Sequence, residues 1–412
     1  MLTNYFKIAI AVLKRRKFFT FISLFGISFT LIILILIAAF FDHLFSAGYP
    51  DNKRDRSLYI NRIILQTDED WNETSPPGFY FLDHYVSKLK TPSKIAISTI
   101  YKSTNTYVNS KKLPITYKHT NDQYWDVLEY EFVEGKPYNK QQVDNGERVA
   151  VISEEARDKY FGKGEQAAGK YIEADNLEYR VIGVVKDVPT TLPHVYSEMY
   201  LPYTVAKRNV TADRSLTGNF NAILLADSKN DLEKIKEEYQ QMASKIPLPG
   251  KEYNKMYTFA DNYFVGYMRN LFGQGKDSGL SNFYLTISIF VFLFLLLPTL
   301  NLVNINISRI MERSSEIGVR KAFGASSRTL VLQFIVENII LTFLGGVIGI
   351  VLSMVLIYIF NSSEVIPYGH LSVNLAVMFY TFLACLVFGF ISGVYPAWRM
   401  SRMQGVSALK AS

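Results

Sequence analysis

The chain has 412 residues, of which 49% are hydrophobic and 20% are charged, and its formal net charge is +7. This composition excludes a protein that lies wholly within a membrane, and the long apolar runs exclude a wholly soluble one. The single cysteine, Cys385, also excludes an intramolecular disulfide. The apolar residues must therefore be concentrated in particular segments of the chain.

The N-terminal segment is predicted to be helical and membrane-bound. In residues 2–13 apolar and polar side chains alternate on a helical period ahead of a basic cluster, which predicts that residues 1–17 form an amphipathic helix on the cytoplasmic membrane surface. An extension of the first span is the alternative. Residues 18–41 carry no charge and exceed the roughly 20 residues that cross a bilayer core, so they are predicted as transmembrane helix 1. Because a signal-peptide core has only about 7 to 15 residues, a cleaved signal is the weaker alternative.

Residues 42–280 are predicted to form one large extracytoplasmic domain with an α+β fold, α/β being the alternative. Short runs rich in Val and Ile at 147–153 and 179–185 are typical of buried strands. Apolar residues spaced by three and four at 231–242 predict an amphipathic helix, and Ser153 followed by two acids predicts a helix start. A domain of roughly 240 residues is long enough to bury its own core.

One motif in this domain is similar to a phosphate-binding loop. Gly164, Gly169 and Lys170 match that pattern, but Tyr171 stands where the Ser or Thr that ligates magnesium would be, so a turn is predicted instead. The histidines lack the close spacing of a zinc site, and surface or loop positions are expected for all five: His43, His84, His119, His194 and His370. No catalytic residue, metal ligand or bound cofactor is predicted in this chain.

Three further apolar segments are predicted as transmembrane helices 2, 3 and 4, at residues 281–308, 329–360 and 371–396. The remaining segments are a cytoplasmic segment, a short extracytoplasmic loop and a cytoplasmic C-terminal tail, at residues 309–328, 361–370 and 397–412.

Several residues inside the spans carry predictions of their own. Pro298 removes a backbone hydrogen bond and should kink helix 2. Asn301, Asn304 and Asn306 are expected near the cytoplasmic interface. Glu337 is expected at or below the inner interface, solvated or paired, with a buried proton relay as the weaker alternative. The spans then offer almost no polar interior, which disfavours a water-filled route for a polar solute. Glycines four residues apart let helices approach closely, within the chain or across a dimer: Gly345 and Gly349, and Gly389 and Gly393.

The positions of Lys and Arg predict the orientation of the chain in the membrane. Thirteen of them lie before the first span, between the second and third, or after the fourth. The other 31 lie between residues 42 and 280, where they face 33 acidic residues. The positive-inside rule therefore places both termini in the cytoplasm and the large domain outside. The positive net charge then reflects topology, and no nucleic-acid partner is expected.

The segment 309–328 carries the clearest functional motif. Glu316 and Arg320 lie one helical turn apart, and Gly324 is a natural helix stop before a second helix that starts near Ser326 or Ser327. Residues 316–325, EIGVRKAFGA, resemble the cytoplasmic signature of the FtsX-like permease family of ABC transporters. In that family the segment contacts the ATPase. The resemblance implies an ATPase-coupling interface of these residues: Glu312, Arg313, Glu316, Ile317, Gly318, Arg320, Lys321, Ala322, Phe323, Gly324, Ala325 and Ser326.

The large domain carries five short motifs, at residues 125–135, 149–153, 160–162, 168–170 and 181–189. In residues and order they resemble the periplasmic core domain of MacB-type permeases. The C-terminal residues 395–410 are also similar to the ending of that family. Residues from about 189 to 280 and from 50 to 120 match no pattern of the family, which leaves the substrate open.

The two resemblances imply a permease subunit of an ABC transporter in the bacterial inner membrane. It would transmit cytoplasmic ATP hydrolysis to the extracytoplasmic domain, with export of a drug, peptide or lipid-like client as the expected function. The permease itself would be non-catalytic, and a partner ATPase would bind ATP and Mg. A second permease, in a homodimer or related heterodimer, is also implied, and a periplasmic adaptor is left open.

Four other functions remain as alternatives. Permeases of the LolC and LolE type extract lipoproteins with a similar arrangement of spans. FtsX itself regulates cell-wall hydrolases, although its outer domain is usually much smaller. A membrane-anchored receptor without an ATPase is the alternative from a different class, and an enzyme in the outer domain is the weakest.

Overall fold

A computed structural model describes the chain at residues 15, 17–68, 72–108, 111–312, 319, 326–363 and 365–401. The chain divides into two compact units. The helical unit comprises residues 1–43, 284–365 and 370–412. The sheet unit comprises residues 44–283 and 366–369.

Thirteen strands occur among the described residues, all in the sheet unit. In chain order they are β1 (Ser57–Ile60), β2 (Ile63–Thr67), β3 (Asn72–Ser75), β4 (Lys94–Thr99), β5 (Lys102–Val108), β6 (Lys111–Thr120), β7 (Phe132–Gly135), β8 (Val149–Ser153), β9 (Tyr171–Ala174), β10 (Leu177–Val185), β11 (Met199–Pro202), β12 (Phe220–Leu225) and β13 (Tyr253–Thr258).

The α-helices among the described residues are numbered in the same way. They are α1 (Lys17–Phe45), α2 (Phe79–His84), α3 (Tyr124–Val127), α4 (Lys140–Asp144), α5 (Glu154–Phe161), α6 (Leu232–Ala243), α7 (Tyr263–Phe272), α8 (Leu280–Glu312), α9 (Ser327–Ser362) and α10 (Leu375–Ser401).

The strands form one large mixed sheet and one small antiparallel sheet. The large sheet has the order β1-β12-β4-β6-β11-β8-β10-β7, with β5 paired to β6 and β9 paired to β10. Most of its pairs are antiparallel, but β8 with β10 and β6 with β11 are parallel. The small sheet has the order β13-β2-β3. This mixed pairing, with helices between the strands, gives the α+β fold that the sequence predicted.

Local sequence explains several of these elements. The two Val- and Ile-rich runs form β8 and β10, and every residue of β8 is buried. Ser153 caps α5, because its side chain accepts a hydrogen bond from the Ala156 amide at 3.1 Å. In α6 the apolar stripe buries Ile235 and Tyr239 in the core of the sheet unit.

Within the described part of the chain, four helices are long and apolar enough to cross a membrane, namely α1, α8, α9 and α10. Helices α1, α8 and α9 extend beyond both ends of the apolar segments that predicted them, whereas α10 begins four residues later than predicted and ends five residues later. With 36 residues, α9 has a length of about 54 Å, well over a bilayer core of about 30 Å. The sheet unit is inserted between α1 and α8. The predicted fold class, four membrane helices with an α+β domain between the first and second, is therefore confirmed.

Candidate functional site

The predicted ATPase-coupling segment is bounded by two helix ends. Glu312 is the last residue of α8. Ser326 caps α9, because its hydroxyl accepts a hydrogen bond from the Thr329 amide at 3.2 Å, as the predicted helix start required. The other predicted coupling residues lie outside the described residues: Arg313, Glu316, Ile317, Gly318, Arg320, Lys321, Ala322, Phe323, Gly324 and Ala325.

The glycine pair of α9 faces α1. A Cβ atom on Gly345 would lie 2.9 Å from the Cβ of Ile27, and one on Gly349 would lie 2.9 Å from the Cβ of Leu31. Ser28 reinforces this contact, since its hydroxyl donates to the Gly345 carbonyl at 2.8 Å. The two helices approach so closely that only a glycine fits at either position.

The glycine pair of α10 faces α9. A Cβ atom on Gly389 would lie 2.2 Å from the Thr342 hydroxyl oxygen, and one on Gly393 would lie 3.2 Å from Asn338. Both pairs thus pack helices of one chain, which is the first of the two arrangements considered from the sequence. Pro298 lies inside α8, and the helix continues on both sides of it.

Polar side chains are buried where these helices meet, contrary to the sequence expectation of an almost apolar interior. Asn306 is fully buried, and its amide donates to the Asn338 side-chain oxygen at 2.8 Å. The Asn338 amide in turn donates to the Phe334 carbonyl at 3.0 Å. Glu337 is only 2% exposed and accepts from Gln333 at 3.3 Å, so it is paired but buried, not at a solvated interface. Asn306 thus finds partners on two neighbouring helices, Asn338 of α9 and the Ser392 carbonyl of α10, whereas Asn338 and Glu337 also bond one turn away within α9.

A cluster of polar and charged side chains is buried in the sheet unit. Asp51, only 1% exposed, accepts hydrogen bonds at one carboxylate oxygen from Arg54 at 2.9 Å, Tyr59 at 2.7 Å and His194 at 3.1 Å. The Arg54 guanidinium lies 4.2 Å from the ring centre of Tyr263. We call these five residues the Asp51 cluster. It brings together the loop after α1, strand β1, the loop before β11 and the start of α7.

Charge pairing explains how Asp51 stays ionised in this site. Burial alone would raise its pKa, but the hydrogen bond with His194 and the charge of Arg54 outweigh burial and hold the pKa of Asp51 below its usual value. Burial lowers the pKa of His194 despite the adjacent carboxylate, whose oxygen lies 3.1 Å from Nε2. The cluster therefore contains one balanced ion pair.

Arg54 also binds the end of a membrane helix. Its guanidinium donates to the carbonyl oxygens of Leu44 at 3.1 Å and Ser46 at 2.7 Å, on either side of the last residue of α1. The last carbonyls of a helix have no partner within it, and a cation is favourable there. Arg54 thus fixes the end of α1 to the carboxylate at the centre of the Asp51 cluster.

Helix α7 carries aromatic side chains that contact the ends of both adjoining membrane helices. Phe45, the last residue of α1, packs on Tyr263, Phe264 and Tyr267 with ring centres 6.2, 4.9 and 5.2 Å away. Phe264 also packs on Phe283, in the first turn of α8, at 5.5 Å. Phe45 and Phe283 lie at the two ends of the sheet unit's main segment, so α7 contacts both ends of that segment.

Strand β6 connects the cluster to the large sheet through a buried lysine. Lys118 is fully buried and donates to the His194 carbonyl at 2.8 Å. It forms no ion pair with any described residue, and burial lowers its pKa to about 7. The loop that presents His194 to Asp51 is therefore held from the sheet side by a backbone hydrogen bond.

Sequence reasoning missed the Asp51 cluster. His194 does lie in a loop, as predicted, but its side chain is only 14% exposed and hydrogen-bonded to Asp51, and nothing in the sequence indicated that burial. The members come from stretches in which the sequence alone offered no recognisable motif, and long-range contacts between them are invisible in a single sequence. The only local signal was the spacing of three between Asp51 and Arg54, a common ion-pair spacing.

Both parts of the chain match known families. Residues 20–242 match the MacB-like periplasmic core domain, and residues 288–405 match the FtsX-like permease C-terminal domain. The macrolide export ATP-binding/permease protein MacB 2 of Yersinia pestis bv. Antiqua (strain Antiqua) is 26% identical over 320 residues, which are 76% of this chain and 44% of that protein. The chain spans about half the length of the curated MacB proteins it matches, 44% and 50% in two of them.

Two further similarities concern a shorter relative and a solved structure. The uncharacterized ABC transporter permease YknZ of Bacillus subtilis (strain 168) is 26% identical over 259 residues, which are 62% of this chain and 61% of that protein. The crystal structure of the periplasmic region of MacB from Actinobacillus actinomycetemcomitans covers 53% of this chain and 97% of that region, at 19% identity and a TM-score of 0.38.

Proposed function

The chain belongs to the MacB-like ABC transporter permease family, with a MacB-like periplasmic core domain and an FtsX-like C-terminal domain, and on this basis we propose that it converts ATP hydrolysis by a partner ATPase into a change of shape of its sheet unit. ATP and Mg would bind to the partner chain. The positive-inside rule supports an orientation in the inner membrane with both termini and the segment 309–328 in the cytoplasm.

One observation carries this proposal. Arg54 joins the terminal carbonyls of α1 to Asp51, while Phe45 and Phe283 join the ends of α1 and α8 to the same helix, α7. A movement of either membrane helix along its axis would therefore act on one compact site in the sheet unit. Such a site suits the transmission of force better than the formation of a pore.

The cytoplasmic part of the mechanism rests on the segment between α8 and α9. Closure of the partner ATPase would move the residues from Glu312 to Ser326, and these are continuous with both helices. The proposed outcome of this cycle is export of a drug, peptide or lipid-like client. The complex would contain a second permease subunit. Lipoprotein extraction and hydrolase regulation would use the same transmission and differ in the partner outside the membrane.

We predict that replacing Glu316 and Arg320 together with alanine uncouples the complex. Charged residues at the centre of an interface contribute several kcal/mol, so the ATPase activity stimulated by the reconstituted permease should fall at least about tenfold. A matched control is the exposed one-turn pair Lys140 and Asp144 in the sheet unit, whose double alanine variant should leave the activity unchanged.

Two results would contradict the proposed function. The first is full ATPase stimulation by the Glu316→Ala, Arg320→Ala variant in a complex that assembles normally. The second is purification of the wild-type chain from its host, after gentle solubilisation, without any ABC ATPase subunit. That second result would favour a membrane-anchored receptor.

A further inference from the structure

A cleft of about 480 Å³ opens in the sheet unit beside α7. Its volume lies within the range of small-molecule sites, roughly 300 to 1,000 Å³. One wall is the face of α7 that carries Tyr263, Tyr267 and Asn270, which are spaced by four and three residues. Tyr267 is 37% exposed and Ile100 on another wall is 42% exposed, so apolar surface is accessible within the cleft.

Among the described residues that line this cleft, Arg62 is the only Lys, Arg, Asp or Glu. Among the described residues it pairs with no carboxylate, and its Nε is buried without a hydrogen-bond partner. One of its terminal nitrogens donates to the Arg269 carbonyl. Burial and the nearby charge of Arg269 lower the pKa of Arg62. Arg269 itself is neutralised by Asp261 at 2.6 Å, so the charge of Arg62 is the one left uncompensated.

We infer that this cleft binds a small anionic amphiphile, whose carboxylate, sulfonate or phosphate pairs with Arg62 and whose apolar body lies against Tyr263 and Tyr267. An anion would offset the cost of burying an unpaired guanidinium and form a charge-assisted hydrogen bond. A cationic client would meet Arg62 with no acid in the lining to offset the repulsion. The binding of an anion to this cleft does not depend on the proposed function. The further step, that this ligand is the transported client, rests on it.

The position of the cleft links its occupant to the membrane helices. The rings of Tyr263 and Tyr267 line the cleft and also contact Phe45, the last residue of α1. Tyr59 and His194 of the Asp51 cluster line the same cleft. A ligand that shifts these side chains therefore acts on the residues that hold the end of α1. The coupling is reciprocal: if a conformational change of α1 alters the affinity of the cleft for its ligand, ligand binding shifts the equilibrium of α1 by the same free energy.

The test is calorimetric titration of the full chain in lipid nanodiscs, with the heat of empty nanodiscs subtracted. Three probes are compared: 2-naphthoate, octanoate and the cation 2-naphthylmethylammonium. At least one anion is expected to bind saturably, at one per chain and at least about tenfold tighter than the cation. The two anions distinguish an aromatic client from an acyl, lipid-like one.

Variants assign the binding to the cleft. Arg62→Gln should weaken anion binding at least about tenfold, the size of one charge-assisted hydrogen bond, and Arg62→Lys should stay within about threefold of wild type. Arg148→Gln, an exposed arginine outside the cleft, should bind as wild type. If Arg62→Gln does not fold, Tyr267→Ala carries the test, because loss of its exposed ring should weaken 2-naphthoate.

Three results would overturn the inference: no saturable binding of either anion, equal binding of the cation, or unchanged affinity in a folded Arg62→Gln or Tyr267→Ala variant. The titration contains neither ATPase nor nucleotide. Failure here would therefore remove the client class and leave the proposed coupling untouched, while failure of the coupling assay would leave a binding result standing.

Discussion

Asp51→Ala is expected to lower the free energy of unfolding of the sheet unit by about 3–5 kcal/mol, the usual effect of removing one partner of a buried ion pair. The substitution leaves the Arg54 guanidinium buried without a counterion and deprives Tyr59 and His194 of their acceptor. Urea unfolding of the full chain in detergent, followed by tryptophan fluorescence, measures the loss. Trp125 packs in the core of the sheet unit and reports on its unfolding.

Two further variants test whether the loss of stability comes from the unpaired Arg54 guanidinium. Asp51→Ala combined with Arg54→Met removes both charges and should recover part of the stability, because the uncompensated cation is then absent. Asp126→Ala breaks an exposed ion pair with Lys94 and should change little. If Asp51→Ala were as stable as Asp126→Ala, the Asp51 cluster would not hold the sheet unit together.

Gly389→Leu is expected to destabilise the helical unit by about 3 kcal/mol, at the upper end of the cost of overpacking a core. A Cβ at this position would already lie 2.2 Å from the Thr342 hydroxyl, so α10 must move away from α9. That movement also separates Asn306 from the Ser392 carbonyl and from Asn338, one turn further along each helix. The midpoint of thermal denaturation in detergent measures the effect.

The control for this variant lies on the same helix. Val387 is 49% exposed, so Val387→Leu adds a methylene group without a clash and should shift the midpoint only slightly. Equal midpoints for Gly389→Leu and Val387→Leu would mean that the close contact of α9 and α10 is not required for stability.

Much of the architecture follows from local sequence. Four apolar segments predicted the spans because each exceeds the length of a bilayer core, and no tertiary information is needed for that. Ser153 and Ser326 predicted helix starts because a capping hydroxyl acts within three residues of itself. Periodicity predicted α6, whose apolar stripe is intrinsic to residues 231–242.

The polar interiors could not be predicted in the same way. From its position near the end of an apolar segment, Asn306 was predicted to lie at the interface. Only the packing of three helices shows that it donates hydrogen bonds to Asn338 and to the Ser392 carbonyl. Asp51 and His194 are 143 residues apart, so their hydrogen bond depends on a fold that a single sequence does not specify. The coupling residues from Arg313 to Ala325 remain a prediction from family resemblance.

The central claim is that ATP binding by the partner ATPase, transmitted through the cytoplasmic segment 309–328, changes the shape of the sheet unit. A pair of spin labels on Lys163 and Leu271, which are exposed in different parts of that unit, tests it directly once Cys385 is replaced by serine. With the partner ATPase present, a non-hydrolysable ATP analogue should shift the measured distance distribution, and the Glu316→Ala, Arg320→Ala variant should abolish the shift. An unchanged distribution in an ATPase-active complex would contradict the claim.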